Sequence, residues 1–146
     1  MNSKDDLANF LRQQIKIENK IVKSLNSALT EIKNPPVKGT LKGISLDSLK
    51  HAQIYASAIE LLTSVSQALT EENLDTQREL VEKHIGIEVE LIRRIGEVIP
   101  KIEDQKVKLL LDAILSDEKR HHELLRRVLE ILVRSETITE ADWWDV

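Results

Sequence analysis

The chain's three prolines stand at only two places, Pro35-Pro36 and Pro100, and between them apolar residues recur at alternating steps of three and four. That spacing places them on one face of a helix. Only 4 glycines occur among 146 residues, so the punctuation that strands and hairpins need is scarce. The pattern predicts an all-α fold, a four-helix bundle with helices over about 5–33, 38–66, 73–98 and 103–133. At 146 residues the chain is expected to form one domain with a sizeable core.

The stripe of the last helix carries the strongest chemical signal. Val107, Leu111, Ile114, Leu125, Val128 and Leu132 keep the helical step, and Glu118 and His121 fall on the same stripe. The two are three residues apart and project from one face. A bundle core has no use for a carboxylate and an imidazole unless something binds them. The other helices also carry polar residues on their stripes. Leu7, Leu11, Ile21, Leu25, Ala28 and Ile32 in the first share a face with Glu18. Leu41, Ile44, Ala58 and Leu62 in the second share one with Ser48 and His51. Val81, Ile85, Ile92, Ile95 and Ile99 in the third share one with Glu88. At about 1.5 Å per residue, each of these groups lies roughly 15–22 Å from the nearer helix end, a common mid-bundle level.

Three buried carboxylates without a counter-charge are costly unless protonated, and Lys50, Lys119 and Arg120 lie off the stripes. A divalent metal or a pair of metals resolves the charge; a proton-sharing polar layer is the alternative. Carboxylate and imidazole ligands suit Fe, Mn or Zn alike. His84, one turn before Glu88, is a candidate sixth ligand with an exposed boundary histidine as its plain alternative, and Asp47 enters only if its helix is irregular. Tyr55, one turn beyond His51, is placed to hydrogen-bond behind the ligands.

Composition narrows the partners. A net charge of -4 gives no basic footprint for nucleic acid. The absence of cysteine excludes thiolate catalysis, iron–sulfur clusters and a rubredoxin-type iron site. No apolar run approaches the roughly 20 residues a membrane span needs. The first residues, Met1 to Asp6, contain no apolar signal segment, so a cytoplasmic protein is expected. Trp143 and Trp144 in the C-terminal tail read as a packing or dimer anchor, and a homodimer is expected.

The run Asp117-Glu118-Lys119-Arg120-His121-His122, with Glu18, His51 and Glu88, resembles the ferritin-like, rubrerythrin-related di-iron carboxylate superfamily. In that superfamily the first and third helices each give a Glu, and the second and fourth each give a Glu-x-x-His. The resemblance covers about residues 5–133 and implies Glu18, His51, Glu88, Glu118 and His121 as metal ligands. It implies an iron site that reduces peroxide or dioxygen, or a ferroxidase, drawing electrons from an external donor because no rubredoxin cysteines are present. One position departs from the pattern. The second helix reads Asp47-Ser-Leu-Lys-His51, so Ser48 stands where the superfamily has a bridging Glu. Serine cannot bridge two metals, which leaves an asymmetric di-metal site, a single metal or a decayed site. The rival expectation is a non-catalytic helical interaction module holding one structural metal or none.

Overall fold

The computed structural model describes residues 3–64 and 71–133. The fold is all-α, with four long helices and no strand among the described residues. They are α1 (Lys4–Leu29), α2 (Pro35–Thr63), α3 (Glu71–Val98) and α4 (Gln105–Arg127). A 3₁₀ turn, Ile99–Lys101, follows α3, and a π-helical turn, Val128–Val133, extends α4. The chain divides into two compact units, Met1–Gln67 and Ala68–Val146. In each, two helices joined by a short connection pack against each other as an antiparallel hairpin, α1 on α2 and α3 on α4.

The helix starts follow from capping. The Ser3 side chain accepts from Asp6 N at 3.0 Å, and Asp5 and Asp6 sit in the first turn of α1, where the helix dipole favours them. Asn34 Oδ1 accepts from Val37 N at the start of α2. Asp104 Oδ1 accepts from Lys106 N and Val107 N at the start of α4, two residues later than expected. α1 stops at Leu29, short of the expected 33 and ahead of Pro35 and Pro36. They form the first turn of α2, where a missing N–H leaves nothing unsatisfied, so α2 begins earlier than the sequence suggested. Gly39 and Gly43 lie inside α2, and a Cβ added at either meets nothing within 4 Å.

The packed seams keep a strict four-three step. On α1 it runs Leu11, Ile15, Glu18, Val22, Leu25, Leu29; on α2, Leu41, Ser45, Ser48, Ala52, Tyr55, Ile59, Leu62. On α3 it runs Val81, Ile85, Glu88, Ile92, Ile95, Ile99; on α4, Leu111, Leu115, Glu118, His122, Leu125, Leu129. All are buried or half-buried, and the repeat of 3.5 residues is that of helices packing knobs into holes. The α3 seam agrees with the sequence reading throughout. On the other helices several residues expected inside are turned outward, with Ile44 46%, Val107 45% and Ile114 44% exposed. The cause is phase: steps of three-four and four-three both stay on one helical face, and the large apolar Ile44 and Ile114 draw the stripe to the edge away from Ser45 and Leu115. In the first hairpin Ser45 Oγ donates to Asn26 Oδ1 at 2.8 Å and ties α2 to α1. The end of the expected second helix, 65–66, and the Trp143-Trp144 tail lie outside the described residues.

Candidate metal centre

The five expected ligands fall into two sets, one in each hairpin. In the second, Glu88 from the α3 seam meets Glu118 from the α4 seam, and His121 stands at the seam's edge. One ligand atom from each of Glu88, Glu118 and His121 lies within 4.8 Å of the other two. Among the described residues this is the one group of three carboxylate or imidazole ligands so placed. His121 Nδ1 is 3.9 Å from Glu88 Oε1 and 3.8 Å from Glu118 Oε2. These distances are too long for hydrogen bonds and leave space between the three atoms. Both carboxylates are largely shielded, with side-chain exposures of 14% for Glu88 and 20% for Glu118, while His121 is 41% exposed.

The local sequence explains this placement. Glu88 lies on its seam between Ile85 and Ile92, and Glu118 on its seam after Leu111 and Leu115, so burial of these neighbours carries the carboxylates inward. The cationic residues beside them point elsewhere. Arg120 pairs with Asp117 on the same helix, and Lys119 is exposed. Arg93 and Arg94 are held on the outer face of α3 by Glu90, at 2.6 and 2.8 Å, and they pull the Glu90 carboxyl down to about 2. Among the described residues, the imidazole of His121 is the only basic group within 4.0 Å of the Glu88 and Glu118 carboxylates.

The electrostatic consequence is concentrated on Glu88. Burial first, then hydrogen bonding with and repulsion by the Glu118 carboxylate, push its pKa from 4.5 up to about 7. With both carboxylates ionised, Glu88 Oε2 is buried without a hydrogen-bond partner among the described residues. A proton shared with Glu118 satisfies it, and so does a cation. His122, the next seam residue, also buries its Nδ1 without a partner. It lines an open cavity of about 400 Å³ together with Ile85, Arg126, Leu129 and Glu130.

In the first hairpin Glu18 faces His51, with Glu18 Oε1 at 3.4 Å from His51 Nδ1. Glu18 is 16% exposed and His51 50%. Asp47 is turned to Lys50 at 3.3 Å and does not join them. Ser48 is buried, at 6% exposure. Tyr55 lies on the α2 seam, half-buried, one turn beyond His51. His84 is exposed and stands outside the group of three, in keeping with its plain alternative.

A regularity emerges once the seams are aligned. Each seam residue of the second hairpin lies 70 positions after its counterpart in the first: Leu11 and Val81, Glu18 and Glu88, Leu29 and Ile99, Leu41 and Leu111. The match extends off the seam. The N-caps Asn34 and Asp104 correspond, as do the ion pairs Asp47–Lys50 and Asp117–Arg120, and so do His51 and His121. The sequence contains this signal, in Asp47-Ser-Leu-Lys-His51 beside Asp117-Glu-Lys-Arg-His121, where each half has a helix with a core Glu followed by a helix with a His. No family model, curated protein or solved structure matches the chain.

Proposed function

We propose that the protein binds a first-row divalent cation, iron foremost, through Glu88, Glu118 and His121. One observation carries the reading: two shielded carboxylates and an imidazole converge within 4.8 Å, and one buried carboxylate oxygen there has no partner. A cation replaces the proton that the metal-free pair needs. Three protein ligands leave coordination positions for water or a small molecule, and Mn and Zn fit the same donors.

The resemblance to the ferritin-like superfamily extends the proposal to chemistry. Iron bound there supplies a redox centre for peroxide or dioxygen reduction, or for ferroxidation. The roles of the chain's own side chains are narrower. Glu88 and Glu118 neutralise charge and exchange one proton for the cation, and His121 fixes the third direction of approach. With no cysteine in the chain, electrons for turnover come from an external donor. No described helix is long and apolar enough to cross a membrane. Trp143 and Trp144 are proposed as the anchor of a homodimer, to be checked by the oligomeric state of a variant with both replaced by Ala.

Ser48 favours a second reading, a helical interaction module with a structural cation or none. Glu118→Ala and His121→Ala test the first against a module that holds no cation at this site. The metal-binding reading expects each variant to lose bound metal while far-UV circular dichroism keeps its helical signal. Metal content unchanged in both variants assigns the metal elsewhere and refutes it.

A further inference from the structure

The two hairpins are copies of one design, yet they differ at one position that bears on binding a cation. Glu18 corresponds to Glu88 and His51 to His121, and Ser48 stands where the second hairpin has Glu118. The correspondence is structural as well as sequential. Both glutamates are shielded seam residues, both histidines sit at the seam edge, and both pairs face across their hairpin. Asp47 does not compensate, because it is turned to Lys50 as Asp117 is turned to Arg120.

We infer that the chain carries two copies of one metal-binding arrangement, that only the copy in the second hairpin binds a divalent cation, and that Ser48 is the residue that silences the copy in the first. This rests on the proposed binding at Glu88, Glu118 and His121. Two donors, Glu18 and His51, hold a cation poorly against water. A third donor that is anionic supplies both a coordination bond and the charge that makes desolvation worthwhile. Ser48 supplies neither. The flanking seam positions also differ in size: Ser45 and Ala52 stand where the second hairpin has Leu115 and His122.

The silent copy still has a distinct consequence. Glu18 and His51 remain in contact at 3.4 Å, so the first hairpin keeps an intact polar pair that a single substitution converts into a ligand set. The second hairpin shows what that substitution restores, since Glu118 occupies the same seam position with 20% exposure.

The experiment is a Co²⁺ titration of the full chain, read by d–d absorption and by bound cobalt after gel filtration, on the native protein and four variants. The native protein takes up a single equivalent. His51→Ala leaves both the equivalent and its affinity unchanged, whereas His121→Ala weakens binding at least about tenfold. Ser48→Glu takes up a second equivalent, and Ser48→Glu/Glu118→Ser keeps a single one that now depends on the first hairpin. A loss of the native equivalent on His51→Ala overturns the inference. So does a helical Ser48→Glu protein that still binds a single equivalent. Should Ser48→Glu lose helicity, Ser48→Asp, with a shorter side chain, takes its place, and the His51→Ala comparison decides independently. A native protein that binds no cobalt refutes the proposed function itself, a result distinct from all of these.

Discussion

Replacing Glu88 by Gln is expected to stabilise the metal-free protein at pH 8 and to change it little near pH 4.5. In the unfolded chain this carboxyl titrates at its ordinary 4.5; in the hairpin, burial and the Glu118 carboxylate raise it to about 7. Between those values the native state keeps a proton that the unfolded state has released. Stability therefore falls as pH rises through this window, and the contribution present below 4.5 is gone above about 7. At about 1.4 kcal/mol per pKa unit, the full swing has a ceiling of about 3 kcal/mol. Glu118 shares the proton and water reaches the rim of the cluster, which brings the expected effect to on the order of 2 kcal/mol. Gln has the shape of the protonated acid and donates to Glu118 at every pH, so the variant lacks the swing. The assay is urea unfolding with chelator present, at pH 5 and pH 8, followed by circular dichroism. Comparing native with variant at each pH cancels every other titrating group. A native-to-variant difference that is the same at both pH values refutes the reasoning.

Other consequences follow from the same structure. Asn34→Ala and Asp104→Ala each remove a helix N-cap and are expected to cost about 1 kcal/mol, measured by urea unfolding. Leu29→Ala and Ile99→Ala, at equivalent seam ends and 7% and 8% exposed, are each expected to cost roughly 2–4 kcal/mol by the same measurement. Gly43→Ala fills open space inside α2 and is expected to stabilise by about 0.5–1 kcal/mol, seen as a higher unfolding midpoint.

The fold class was legible because long apolar periodicity and two proline sites leave little but helices. The Glu88 seam was legible too, since Val81, Ile85, Ile92, Ile95 and Ile99 are all β-branched apolar residues at the right steps. On α2 the same logic drifted. Beside the expected Ser48, the true seam includes Ser45 and Ala52, small residues that a search for large apolar side chains passes over, and Ile44 beside them draws the stripe to the wrong edge. His51 and His121 were placed one position too far inside for the same reason; each neighbours a seam residue, Ala52 or His122, and is about half exposed. Glu88, Glu118 and His121 were picked by residue type and spacing. What spacing could not supply was the raised pKa of Glu88, which depends on how closely α4 brings Glu118 to it.

The central claim is that Glu88, Glu118 and His121 hold a divalent cation, and metal content per chain tests it most directly. Protein purified without chelator is analysed for Fe, Mn and Zn together, before and after anaerobic incubation with Fe²⁺. The account predicts close to one metal per chain after loading, retained through gel filtration and lost in Glu118→Ala. A native protein that carries no metal and takes up none contradicts it, and leaves the pair of carboxylates as a shared-proton layer between α3 and α4.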